Sequence, residues 1–294
     1  DNELPIANCQ NINVPLDNSG LASITTLQIN NNSTDNCGIA AITATPTSFN
    51  CSNVGQNTVV MTVIDVNGNI STCNSIVTIV DTQAPVANCQ NVTFQLDALG
   101  TYTATGAMVN NGSIDNCSIS SYTLNQSIFT CADIGTNPYT LTVTDGSCNT
   151  NTCTSMITIQ DVVAPTAICQ NFTAQLDALG LVSITAGQVN NGSNDACGIA
   201  STTINQSNFN CANLGTNTVT LTVTDLSGNV STCASTVTIA DTVSPLFIST
   251  PANITNTAVT NICGRVIYYN APTFGDNCTA TMSQIDNSGL TSGD

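Results

Sequence analysis

The chain has 294 residues, with 18 acidic side chains against the single basic Arg265, no Lys and no His, and a formal net charge of −17. Nothing on it could neutralise phosphate, which excludes nucleic acid and anionic lipid as partners, and without His or Lys neither a nucleophilic triad nor Schiff-base chemistry can be assembled. Hydrophobic residues make up 41% in strand-like patterns, which argues against disorder, and no run of 18 apolar residues is present to insert into a membrane.

A junction motif organises the rest. Ile79-Val-Asp81-Thr-Gln-Ala-Pro85 recurs at constant spacing as Ile159-Gln-Asp161-Val-Val-Ala-Pro165 and Ile239-Ala-Asp241-Thr-Val-Ser-Pro245, and Asp1-Asn-Glu-Leu-Pro5 belongs to a further copy. The period divides the chain into repeats at 1–80, 81–160 and 161–240 and a partial repeat at 241–294. The second and third repeats align without a gap, with 47 identities in 80 positions. Because the first residue lies in a junction and the last within a repeat, the expectation is a slice of a longer polypeptide.

Within the second repeat, 86–96 reads as extended chain, Asp97-Ala-Leu-Gly100 as a turn and 101–109 as a second strand. The polar stretch 110–116 reads as a loop and 117–124 as a third strand. A less regular segment follows around Phe129 and Cys131. Tyr139-Thr-Leu-Thr-Val-Thr144 then alternates with period two, turns at 145–149 and returns through 152–159. No segment sustains a 3.6-residue period. The expected fold is all-β: tandem immunoglobulin-like β-sandwich repeats, one to each 80-residue period, in a linear array stapled by disulfides, with Phe49, Phe129 and Phe209 in their cores.

Repeats this small are near the limit at which packing alone holds a fold. The 15 cysteines, without His or a CxxC pair, point to disulfides in an oxidising compartment rather than to zinc. In a sandwich whose first strand lies parallel to its last, Cys89 approaches Cys153, leaving Cys117 and Cys131 to close the loop between them. The corresponding expectation is Cys9 with Cys73 and Cys37 with Cys51, then Cys169 with Cys233 and Cys197 with Cys211. Four cysteines allow three connectivities, and spacing does not choose among them. Cys148 stands where Gly68 and Gly228 occupy the last hairpin turn, and is either a leftover thiol or a cross-link to another chain.

The fourth stretch changes pattern, running Asn261-Ile-Cys-Gly-Arg-Val-Ile-Tyr-Tyr-Asn-Ala-Pro272 and then Gly275-Asp-Asn-Cys278. It resembles the hyalin-repeat (HYR) family of immunoglobulin-like modules, in which a Cys-Gly-x-Val-Val-x-Tyr-x-x-Pro run precedes Asp-Asn-Cys. The three full repeats resemble the same superfamily through Asp35-Asn-Cys37, Asp115-Asn-Cys117 and the turns at Asp65 and Asp225, although Asp195-Ala-Cys197 lacks the Asn. The resemblance implies an extracellular module of the kind found in large surface adhesins of Bacteroidota.

Most of the acids recur in register. In an immunoglobulin-like sandwich the junction, the second-to-third strand loop and the last hairpin turn share one end. Asp81, Asp115 and Asp145 would therefore converge, as would Asp1, Asp35 and Asp65, and Asp161, Asp195 and Asp225, with Asp241 and Asp276 in the partial repeat. Carboxylates gathered without a basic partner call for a hard cation, and calcium takes six to eight oxygens of this kind. The competing reading is that each Asp caps its own turn, the favoured reading for Asp17, Asp97 and Asp177. Catalysis finds no support, since a hydrolytic carboxylate pair has no reason to recur in every repeat. The function that follows is mechanical: a non-enzymatic stalk or filament segment of a large secreted or cell-surface adhesin, stiffened by disulfides and by calcium between repeats. The expected partners are adjacent repeats of the same chain. The alternatives are a filament subunit that assembles with copies of itself, and an array that binds a surface glycan.

Overall fold

The structure, a computed structural model, describes residues 2–250, 252 and 270–282; Asp1 and most of the 261–272 run, Cys263 included, lie outside the described residues. The chain divides into two compact units, Asp1–Asp161 and Val162–Asp294. The first unit opens with strands β1 (Ile12–Pro15), β2 (Leu21–Ser23), β3 (Ile39–Thr45), β4 (Ser48–Asn50), β5 (Gly55–Asp65) and β6 (Ile70–Val80). Four of these form a sheet in the order β1-β6-β5-β3, with β1 parallel to β6 and the other pairs antiparallel, while β2 and β4 pair separately.

The plan repeats in β7 (Val92–Gln95), β8 (Thr101–Thr103), β9 (Ile119–Leu124), β10 (Ile128–Thr130), β11 (Gly135–Asp145) and β12 (Thr150–Gln160). The second unit builds it again from β13 (Phe172–Gln175), β14 (Leu181–Ser183), β15 (Ile199–Ile204), β16 (Asn208–Asn210), β17 (Gly215–Asp225) and β18 (Val230–Ala240). A short antiparallel ribbon of β19 (Leu246–Ser249) and β20 (Thr273–Gly275) follows. The fold is all-β, with a sandwich-like pair of sheets in each module.

Alternation of apolar residues with Thr makes this architecture. In β5, Val59, Met61 and Val63 point inward with no exposed surface, and Val77 and Ile79 of β6 join them. Phe49 from the small sheet, with Leu16, Ile24 and Ile29, closes the core from the other side. Phe129 and Phe209 are buried in the same way. Each such side chain stabilises the fold by roughly 1.5–3 kcal/mol relative to its exposed state.

The second strand is shorter than its sequence suggests. β8 stops at Thr103, and a single helical turn, α2 (Gly106–Val109), replaces its second half, as α1 (Thr26–Ile29) and α3 (Ala186–Val189) do in the other modules. Thr25 and Gln28, and likewise Thr185 and Gln188, form capping boxes that start this turn. Burying Ile24 with Ile29, and Ile184 with Val189, needs the chain to coil between them. A single turn is too short to display a helical period.

Disulfides join Cys9 to Cys73, Cys89 to Cys153 and Cys169 to Cys233, each bridging the approach to a module's first strand and its last strand. By loop entropy, a closure of this length stabilises by about 4 kcal/mol. The expected pairs Cys37–Cys51, Cys117–Cys131 and Cys197–Cys211 do not form. Cys51 is bonded to Cys117 of the next module, and Cys211 to Cys278. Cys131 and Cys197 are disulfide-bonded as well, whereas Cys37 is free and exposed. The reason is a length. Cys37 precedes the seven-residue strand β3 and Cys51 follows the hairpin at its other end. A strand of that length rises about 23 Å, whereas bonded cysteines need Cα atoms within about 7 Å. The two thiols of one module therefore face its opposite ends, and across the Cys51–Cys117 bond the Cα atoms stand 5.4 Å apart.

Candidate metal centre

Three pieces of the second module bring Asp81, Asp115 and Asp145 together. β12 lies parallel to β7, so the incoming junction runs beside the last hairpin. A bulge in the β9–β11 ladder sets Ile119 opposite Asp145, which carries the polar loop ending at Cys117 over the hairpin turn. One carboxylate oxygen from each Asp then lies within 4.8 Å of the other two. Asp81 and Asp145 are buried, at 8% and 1% exposure, and Asp115 is half-buried.

Each Asp also organises its own turn through local hydrogen bonds. Asp145 Oδ1 accepts from the backbone N–H groups of Ser147 and Asn149, both at 2.8 Å, and its Oδ2 accepts from Asn149 Nδ2 at 2.7 Å. Asp115 Oδ2 accepts from the N–H groups of Cys117 at 2.9 Å and Ser118 at 3.1 Å. Asp81 Oδ1 accepts from Gln83 N at 3.1 Å and Asn116 Nδ2 at 3.4 Å. Asn149 Nδ2 also donates to the Asp81 carbonyl at 3.1 Å, tying junction to hairpin.

Two oxygens are left over. Asp115 Oδ1 and Asn116 Oδ1 are buried without a hydrogen-bond donor, and so are Asp276 Oδ1 and Asn277 Oδ1 in the partial repeat. Both pairs are the Asp-Asn of an Asp-Asn-Cys motif. The Asn of each also reaches the preceding module: Asn116 Nδ2 donates to the Asp17 carbonyl at 3.1 Å, and Asn277 Nδ2 to the Asp177 carbonyl at 2.9 Å. Asn277 Nδ2 also donates to Asp241 Oδ1 at 3.1 Å, so the partial repeat pairs Asp241 with its Asp-Asn as the second module pairs Asp81.

Asp17, Asp97 and Asp177 hold the turns at the outgoing ends. Asp17 Oδ1 accepts from Ser19 N and Leu21 N at 2.8 and 3.0 Å, Asp97 Oδ1 from Leu99 N and Thr101 N at 2.9 and 3.0 Å, and Asp177 Oδ1 from Leu179 N and Leu181 N at 2.8 and 3.0 Å. These turns end on Gly20, Gly100 and Gly180. A Cβ on Gly20 would come within 2.7 Å of both Asn116 O and Cys51 Sγ, and one on Gly180 within 2.7 Å of Cys211 Sγ and 2.8 Å of Asn277 O. The seam therefore consists of a glycine turn and a cystine from one module against Asp-Asn-Cys of the next.

The other predicted ligands occupy the same turns. Asp35 Oδ2 accepts from Cys37 N and Gly38 N at 2.8 and 2.9 Å, and Asp65 is buried with a network like that of Asp145; Asp1, their third member, lies outside the described residues. Asp161 is buried at the end of the first unit. In the second unit, Asp195 Oδ1 accepts from Cys197 N at 2.8 Å, and the buried Asp225 accepts from Ser227 N and Asn229 N at 2.9 and 2.8 Å. Ala196 offers no amide in the place of Asn116. The leftover thiol Cys148 is exposed and unpaired at φ 71°, in a turn where Gly68 and Gly228 have φ 90°.

Hydrogen bonds set the acid response. The Thr101 backbone N–H is the main cause holding the Asp97 carboxyl below its ordinary value of 3.8; desolvation opposes it, and the Leu99 N–H and Thr101 hydroxyl add to it. For Asp65, burial pushes upward, but donors from the Asn69 side chain and the Asn69, Asn67 and Gly68 backbones prevail, and its value also falls below 3.8. A carboxyl lowered by folding stabilises above its unfolded value, and the contribution is lost as pH falls through the folded one. The melting temperature is expected to drop as pH descends below 3.8, and Asp97→Asn should reduce that drop. Identical acid profiles for the two proteins would remove Asp97 from the account.

The fold and seam together define a disulfide-rich, all-β repeat protein of sandwich-like modules. No protein-family model matches the chain. It is similar to Hyalin of Strongylocentrotus purpuratus, 32% identical over 186 residues, which is 54% of this chain and 16% of Hyalin. Among solved structures it is similar to the protocadherin gammaB7 EC3-6 cis-dimer, at 14% identity and a TM-score of 0.30, covering 84% of this chain and 76% of that one. The human desmocollin-1 ectodomain gives 10% identity and a TM-score of 0.27, covering 87% and 65%.

Proposed function

We propose that the chain is a structural repeat segment, a stalk or filament, of a large secreted or cell-surface adhesin of the hyalin-repeat kind, with module boundaries at 1–80, 81–160, 161–240 and 241–294. The observation that carries this reading is the placement of the disulfides. Cys51–Cys117 and Cys211–Cys278 connect successive modules, a use of cystine that serves continuity along the chain rather than the folding of any one module. The partial identity to Hyalin supports the repeat family.

Calcium belongs to the same reading. The buried side-chain oxygens without a donor among the described residues fall at the same two positions of two seams, beside further carboxylates and no cation. An oxygen-only, donor-poor set suits a hard divalent ion. Asp81, Asp115, Asn116 and Asp145 would hold it at one seam, and Asp241, Asp276 and Asn277 at the other. Bound there, calcium would neutralise the clustered carboxylates. The chain's own residues do the rest, because Asn149 fixes the junction to the hairpin and Asn116 fixes the loop to the preceding turn.

The test is thermal unfolding with calcium and with a chelator. At a calcium concentration about 100 times its dissociation constant the expected gain is about 2.7 kcal/mol, and Asp115→Asn should lose most of it. A midpoint indifferent to chelation would remove the ion and leave the Asp residues as turn caps.

A further inference from the structure

We infer that the Asp35-Asn36-Cys37 end of the first module is an open half-seam, built to receive the outgoing end of another module of this plan and to bond it covalently through Cys37. The inference rests on the modular reading above and not on calcium.

The two complete seams show what such an end does. Cys117 and Cys278, each the last residue of an Asp-Asn-Cys motif, are bonded to the cysteine of a preceding 3₁₀ turn, Cys51 and Cys211. Asp35 holds Cys37 through the N–H groups of Cys37 and Gly38, as Asp115 holds Cys117 through those of Cys117 and Ser118. The local geometry is thus already that of a bonded member. Exposure is what differs. Asn116, Cys117, Asn277 and Cys278 are half-buried by the module before them, whereas Asn36 and Cys37 are exposed. Asn36 Nδ2 donates to Glu3 at 2.8 Å, where Asn116 Nδ2 donates to the Asp17 carbonyl.

The complementary surface can be specified from the same seams. It carries an Asp-x-x-Gly turn whose Asp carbonyl accepts from Asn36 and whose glycine leaves room for the Asn36 backbone, next to a 3₁₀ turn bearing a free cysteine. Another copy of this chain cannot supply it, because Cys51, Cys131 and Cys211 are all committed to disulfides. The occupant is therefore a module of this plan whose 3₁₀-turn thiol is still free. Bond formation oxidises two thiols to one disulfide. A low-molecular-weight disulfide in the medium accepts the two electrons and two protons and leaves as two thiols, through a mixed disulfide that the Cys37 thiolate resolves.

The experiment extends the whole chain with an additional copy of residues 1–80 placed before Asp1, which preserves the repeat period. The added copy carries Cys37→Ser so that the receiving Cys37 is unique. In one version the added copy keeps its Cys51; in the other it carries Cys51→Ser. After refolding with a glutathione-type disulfide, alkylation and mass mapping read Cys37, and protection of Cys117 reports that the native seam has formed in both. The expected result is that Cys37 loses its alkylation in the first version and regains it fully in the second. Equal alkylation in the two versions, or protection in both, overturns the inference.

Discussion

Pulled from its ends with the disulfides intact, the protein is expected to lengthen by no more than about 60 Å of contour per module, against roughly 280 Å after reduction. The bound follows from covalent connectivity and not from the strength of the fold. Cys9–Cys73 and Cys89–Cys153 each take 64 residues out of the load path. Even with every strand pulled apart, force runs across a cystine and then through the short chain from Cys73 to Cys89. Cys51–Cys117 adds a second route of 22 and 28 residues between the same two modules, longer than the direct 16, so the direct stretch alone sets the bound. Single-molecule extension in oxidising and reducing buffer measures the difference directly. Oxidised protein that shows the long increments would sink the structural proposal at its mechanical root.

Replacing Gly20 by Ala is expected to break the first seam while leaving each sandwich core intact. Gly20 has φ +72°, a left-handed conformation that costs an L-residue about 1–2 kcal/mol. Beyond the strain, the new methyl would overlap Asn116 O and Cys51 Sγ, which belong to the two halves of the seam. Gly55→Ala separates the contributions, because Gly55 has φ +106° with nothing near its missing side chain. Both variants should lose stability, and only Gly20→Ala should also leave Cys51 and Cys117 open to alkylation. If the two variants behave alike, close packing at the glycine turn is not what lets the seam cystine form.

Much of the fold is legible in the residues. Thr–apolar alternation in Tyr139 to Thr144 reports a half-buried strand because side chains in extended chain point to opposite faces, whatever lies further away. The parallel approach of first and last strands, and with it the position of Cys89 beside Cys153, follows from the sandwich that this alternation implies. The helical turn at Gly106–Val109 is not legible in the residues, because one turn is too short to show its own period. Cys51–Cys117 is hidden for a different reason. Pairing Cys37 with Cys51 reads as the more local choice, and only the length of β3 shows that it spans a module.

The Asp residues divide along the same line. Their turn-capping role is local, and Asp145 with Asn149 could be read from spacing alone. Their gathering is not local. Asp81 meets Asp115 and Asp145 because a parallel strand pair and a bulge deliver three distant segments to one end of a module, and Asn116 meets the Asp17 turn because a second module sits there. The period, the strands, the oxygen-rich turns and the lack of cationic side chains beyond Arg265 are properties of the residue string, since they depend on composition and on each residue's immediate neighbours. Which cysteines bond, and which carbonyls Asn116 and Asn277 reach, is settled only by packing in three dimensions, since those choices depend on distances across strands and between modules that no spacing along the chain encodes.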